Sequence, residues 1–119
     1  QAVNVMLGFE MAHIGINTAH EQESREVAKS FSELFNLPVK EGNSSIFAGS
    51  GIEVSKGMGL GKNGHIAIRT NSIQRAAAFL KRNHVEIDMN TAKMADGAMI
   101  AVYLKDEIGG FAVHLLQKK

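Results

Sequence analysis

The 119 residues contain no cysteine. That excludes disulfides, thiolate metal ligands and thiol nucleophiles, and it fits a reducing, cytoplasmic setting. No apolar run approaches the roughly 20 residues that span a bilayer, so no membrane partner is expected. No basic run interleaved with aromatics occurs and the net charge is only +1, which argues against nucleic acid as a partner. Lys118-Lys119 reads as a solvated tail. Gln1 to Gly8 lacks the basic start of a signal peptide, and the absence of an initiator Met leads us to expect a piece of a longer chain. Hydrophobic residues make up 45% of the chain. That is ordinary for a globular protein, and the length suits one domain or two small modules sharing a core.

What is present is a repeat. His13-Ile14-Gly15-Ile16-Asn17-Thr18 and His65-Ile66-Ala67-Ile68-Arg69-Thr70 share the pattern His-Ile-small-Ile-x-Thr, 52 residues apart. Each alternates with period two and reads as a strand. The isoleucines form one face; the other carries the histidine beside a small residue, which leaves room in front of the imidazole. Each string is followed by a helix and then by strands, so the chain reads as a duplicated unit.

The first strand spans 10–17. Thr18 with Glu21 reads as a capping box for a helix from about Ala19 to Asn36, with Val27, Phe31, Leu34 and Phe35 as its buried stripe. Pro38, the only proline, stops it. Three short strands follow at 39–41, 45–48 and 52–55. The stretch 57–64 carries four glycines, but it leads into a strand rather than a helix, so it reads as a linker and not as a phosphate loop. In the second half Asn71 or Ser72 caps a helix reaching about Asn83, with Ile73, Ala76, Ala77 and Leu80 inward. A strand follows at 85–89, then a polar loop at 90–97, then strands at 98–104 and 110–117. The domain reading is a connector at 1–9, a stretch that reads equally as an added edge strand, then a first module at 10–56, a linker at 57–63 and a second module at 64–117.

The last strand of each module places one ionisable residue between aliphatic neighbours: Glu53 between Ile52 and Val54, His114 between Val113 and Leu115. Alternation turns Glu53 and His114 to the side of His13 and His65. If the two halves join one sheet, His13, Glu53, His65 and His114 project into a common cleft. Three imidazoles and a carboxylate suit a divalent ion such as zinc, manganese, iron, cobalt or nickel. Arg69, on the same face, is a candidate partner for a substrate carboxylate. His20 and His84, at helix borders, read as structural.

A β-α-β-β-β repeat with His-Ile-x-Ile opening each half resembles the vicinal oxygen chelate superfamily, which includes glyoxalase I, bleomycin-resistance proteins and extradiol dioxygenases. The resemblance covers nearly all of residues 10–117. It implies an α+β fold in which two such modules form one curved mixed, glyoxalase-like sheet. It also implies ligands from the first and last strand of each module, at His13, Glu53, His65 and His114. In glyoxalase I the fourth ligand is Glu; His114 stands there instead and changes the charge of the set. The runs Gly42 to Val54, Leu60 to Ile66 and Ile108 to His114 further resemble the domain appended to some bacterial keto-hydroxyglutarate/keto-deoxy-phosphogluconate aldolases, which implies a covalently linked aldolase domain.

Three functions stay open at this point. One is a metal site acting on a small 2-keto or 2-hydroxy acid, with Glu53 as ligand or general base. The second is a metal-free binding module for such an acid. The third is a homodimerisation module, since an open sheet leaves edges that a partner can cover.

Overall fold

The computed structural model describes residues 6–119. Eight strands and two helices follow one another as β1 (Glu10–Ile16), α1 (Glu21–Phe35), β2 (Val39–Glu41), β3 (Ser45–Ala48), β4 (Ile52–Ser55), β5 (Gly64–Thr70), α2 (Ile73–Arg82), β6 (Ile87–Ala95), β7 (Ala98–Leu104) and β8 (Phe111–Gln117). All eight strands form one mixed sheet in the order β2-β3-β4-β1-β5-β8-β7-β6. The expected α+β fold is present, with the β-α-β-β-β order occurring twice. The halves meet where β1 pairs antiparallel with β5, and each of these strands pairs in parallel with the last strand of its own half, β4 and β8.

The isoleucines of the repeat lie on the face that the helices cover. Val54 pairs with Ile16, Ile14 with Ile66, and Ile66 with Val113, so these side chains share one face. Ala28 of α1 packs on Ile46 and Val54, while Ile73 and Ala76 of α2 pack with Leu7, Val102 and Leu115. Both helices therefore cover the same face, and the opposite face carries the histidines.

Several local expectations change. The N-cap of α1 is His20, not Thr18: His20 Nδ1 accepts from Glu23 N–H at 3.2 Å, and Glu23 reaches back to Ala19 N–H at 2.6 Å. The Thr18 hydroxyl instead donates to the Ser55 carbonyl at 2.6 Å, tying the end of β1 to the end of β4. The buried residues of α1 are Ser24 and Ala28; Leu34 and Phe35 are 75% and 64% exposed. Small side chains let the helix lie close on the sheet; of the expected stripe Val27 packs against this cluster, while Leu34 and Phe35 stand outside the contact. Residues 90–95 continue β6 rather than forming a loop. They pair with β7 through a tight Asp96-Gly97 turn whose two residues both have positive φ, the geometry that favours Asp-Gly.

The second helix follows its sequence: Ser72 is the N-cap, accepting from Arg75 N–H. Of the stretch read as a connector, residues 1–5 lie outside the described residues. Leu7 is buried, and its carbonyl accepts from the Thr70 hydroxyl at 2.6 Å and from Asn71 N–H at 2.8 Å. The glycine-rich stretch is pinned at Gly61, whose carbonyl accepts from the Asn17 side-chain amide at 2.9 Å.

Candidate metal centre

The register builds the site in two rows across the helix-free face. One row runs Phe47, Glu53, Gly15, His65, Ala112 through β3, β4, β1, β5 and β8. The next runs His13, Ala67, His114, Tyr103, Asp88 through β1, β5, β8, β7 and β6. Directly paired residues point to the same side of a sheet, so both histidines of the repeat, Glu53 and His114 face one cleft. The small residues of the motif make the space. A β-carbon at Gly15 would fall inside the His65 ring, so the imidazole lies flat over bare backbone.

Three donor atoms converge. Glu53 Oε1 lies 3.0 Å from His65 Nε2 and 3.2 Å from His13 Nε2, and the two Nε2 atoms are 3.1 Å apart. Donors held about 2.1 Å from one ion stand about 3.0 Å apart at right angles and about 3.4 Å apart at tetrahedral angles. The triangle fits either geometry. His114 completes the group: one ring nitrogen from each of His13, His65 and His114 lies within 4.8 Å of the others. Its Nε2 is buried without a hydrogen-bond partner. Such an orphan is unusual in a folded protein. The residues present thus fit a divalent ion.

The charge states suit it. Hydrogen bonds from His13 and His65, with a further one from Ser45, hold the Glu53 carboxyl well below the usual carboxylate range, so it is ionised at neutral pH. Burial pushes His114 down to about 4, with His65 and His13 adding to the effect. His114 is therefore neutral near pH 7 and offers a lone pair. Burial and the Glu53 charge raise the Tyr103 pKa, so its phenol keeps its proton. The Tyr103 ring stacks on His114 with centroids 4.5 Å apart, and Phe47 meets His13 edge-on at 5.9 Å.

Of the four sequence candidates for the metal set, His13, His65 and His114 form one donor group, and Glu53 meets two of them, His13 and His65. Arg69 does not join them. It stands one two-residue step along β5, where Nη1 is 3.3 Å from Glu10 Oε1 and 3.4 Å from the Met11 carbonyl. The sequence reading missed Ser45, whose hydroxyl donates to Glu53 Oε2 at 2.8 Å and leaves Oε1 for the histidines. The signal was there. A three-residue turn at 49–51 sets Phe47 opposite Glu53 and puts Ser45 on the same face two residues on. At the corresponding place beside His114, two residues before Tyr103, stands Ala101, which has no hydroxyl to offer.

No protein-family model matches the sequence, and no curated protein matches it. Solved structures do share its architecture. A hypothetical protein from Bacillus halodurans superposes with a TM-score of 0.65 at 19% identity, over 93% of this chain and 95% of that one. Methylmalonyl-CoA epimerase from Mycobacterium tuberculosis gives 0.59 at 14%, over 92% and 87%. Homoprotocatechuate 2,3-dioxygenase from Arthrobacter globiformis gives 0.60 at 17%, over 92% of this chain and 36% of the dioxygenase. At these identities the likeness establishes the glyoxalase-like fold and nothing further.

Proposed function

We propose that His13, Glu53, His65 and His114 bind one divalent transition-metal ion and that the site takes a small 2-keto or 2-hydroxy acid through two neighbouring oxygens. The observation that supports this most is the convergence of two imidazoles and a carboxylate to within 3.2 Å beside the unpartnered His114 nitrogen. A bound ion would supply Lewis-acid polarisation of the ligand's carbonyl oxygen. Three nitrogen donors and one oxygen donor favour zinc, nickel, cobalt or iron over magnesium or calcium.

The chain's own part is positional. Ser45 fixes the Glu53 carboxylate, and Glu53, ionised, serves as a ligand or takes a proton from the carbon beside the carbonyl. Tyr103 keeps the His114 ring in its plane by stacking. Arg69 is the candidate for the acid's carboxylate. On the resemblance to the aldolase-appended domain, the acid belongs to the keto-hydroxyglutarate class and the neighbouring domain of the longer chain is an aldolase. Pairing of two copies belongs to the same reading, since β2 and β6 each leave one side of the sheet unpaired; sedimentation equilibrium measures it.

The deciding experiment is elemental analysis of purified protein beside a His13→Ala/His65→Ala variant. The expected result is about one divalent ion per chain in the first and none in the second. Equal content removes the metal. Saturable heat on titration with a 2-keto acid in both proteins would then favour a metal-free binding module.

A further inference from the structure

We propose that two copies of the chain pair through the groove between α1 and α2, on the face opposite the metal cleft. This takes up the pairing proposed above and moves it from the sheet edges to the helix-covered face. It rests on that pairing and not on the metal.

The groove lies over the middle of the sheet. α1 packs on β3 and β4 through Ile46 and Val54, and α2 packs on β7 and β8 through Val102 and Leu115. Between them β1 is left open. Met11 and Ile14 turn to this face, since they pair with Ile68 and Ile66, and they are 54% and 38% exposed. β1 has a neighbour on each edge, so that exposure is through its face.

Helical spacing sets the walls. The cavity on the β2 side of α1 is lined by Arg25, Lys29 and Ser32, so the flank toward β1 carries Val27, Phe31 and Leu34. Val27 and Ile52 pack against one cluster, and Ile52 pairs with Ile14. The cavity on the β6 side of α2 is lined by Gln74, Ala77 and Lys81, which leaves Arg75, Phe79 and Arg82 toward β5. Phe79 and Ile68 of β5 pack against the same cluster. The exposed Leu34 and the open Met11 and Ile14 thus share one surface, and an exposed apolar patch with a polar rim marks an interaction site.

Charge selects the occupant. α1 carries Glu21, Glu23, Glu26 and Glu33 against Arg25 and Lys29, whereas α2 carries Arg75, Lys81 and Arg82 and no acid. Glu23, Glu26, Arg75 and Arg82 make no ion pair among the described residues. A two-fold axis running along β1 above the groove sets α1 of each copy against α2 of the other, so every acid–base contact is made twice. An axis across the strands would set the glutamates of α1 against themselves. The sheet edges suit pairing less. β2 has three residues and follows Pro38, and β6 is bulged between Asp88 and Lys93, where the Thr91 hydroxyl donates to the Asp88 carbonyl at 2.7 Å. Short and bulged edges resist pairing.

The test is sedimentation equilibrium of the full chain. The unmodified protein is expected as a dimer that weakens as salt screens its charges. Leu34→Glu should leave it monomeric, with circular dichroism and zinc content per chain unchanged. Glu23→Arg/Glu26→Arg should weaken pairing at least tenfold, as should Arg75→Glu/Arg82→Glu. An equimolar mixture of these two double variants should pair as tightly as the unmodified protein, because each supplies the charge that the other lacks; a misfolded variant could not be rescued in this way. A mixture that fails to pair overturns the α1–α2 arrangement. A dimer indifferent to every variant defeats this face and leaves the pairing itself standing. A monomeric unmodified protein overturns both, and the groove then belongs to residues 1–5 or to a different protein.

Discussion

At the residue scale the candidate site depends on two residues that lend no donor atom to an ion. Gly15 has no β-carbon because the His65 ring occupies that space. Gly15→Ala therefore has to move the imidazole or the strand. Overpacking of this kind costs about 1–3 kcal/mol. Because His65 leaves the triangle, zinc affinity should fall by about 10–100-fold, the range seen when supporting residues of metal ligands are changed. Calorimetric zinc titration together with thermal unfolding checks both; unchanged zinc affinity would show that the ring lies elsewhere in solution. Ser45→Ala removes the hydroxyl that fixes Glu53 Oε2. It should lower zinc affinity by a similar factor at a stability cost of about 1 kcal/mol.

His114 sets the pH response of the metal-free protein. Its pKa is lower folded, about 4, than the ordinary imidazole value of 6.5. Between those values the unfolded chain binds the extra proton, so stability falls as pH drops from about 6.5 toward 4. Protonation of Glu53 also costs stability on acidification, but only below the ordinary carboxylate value of 4.5. A melting-temperature series in a chelator should thus show a slope above pH 4.5 that His114→Gln removes. Persistence of the slope in that variant would assign it to other groups.

At the element scale, what a period reveals is which residues share a face, and what it leaves out is what covers that face. The alternation around His13 and His65 fixed the strands and their facing because a central strand is buried by its neighbours on both edges. The stripe Val27, Phe31, Leu34, Phe35 is equally periodic, yet of these it is Val27 that packs against the core, and the fully buried positions are Ser24 and Ala28. Close approach of helix to sheet selects small residues, and the two aromatics lie tilted against each other instead, with Phe31 and Phe35 centroids 6.4 Å apart. Thr18 looked like a cap by type, but its hydroxyl is claimed by Ser55, a partner 37 residues away. The strand over 90–95 was hidden by its polar composition, although Asp96-Gly97 marked the turn. Where local chemistry was sufficient it was also legible: Ser72 caps α2 in the way its type requires. Ser72→Ala should cost about 1 kcal/mol, a fall of roughly 4 °C in melting temperature for a domain of this size. Asn71→Ala, one residue earlier, tests whether that cost belongs to the cap. Its side-chain amide donates to the Met6 carbonyl at 3.3 Å on the exposed surface, and a smaller loss is expected.

At the scale of the whole molecule the duplication matters because neither half holds the site alone. β1 and β4 supply His13 and Glu53; β5 and β8 supply His65 and His114. The halves meet at the β1–β5 pairing, and the candidate ligands lie astride it, so an ion held by all four would cross-link the two modules. A ligand that binds only the folded state stabilises it by about 2.7 kcal/mol at a hundredfold excess over its dissociation constant. For a domain of this size that corresponds to a rise of roughly 10 °C. Because the ligands come from both modules, the added protection should appear in both together. Amide hydrogen exchange should slow in β1 and β4 as much as in β5 and β8 when zinc is added, and His114→Ala should reduce the gain in the first module as well as in its own. Slowing confined to one half would mean that the ion is held by that half alone, and the four-residue site across the β1–β5 seam would be wrong.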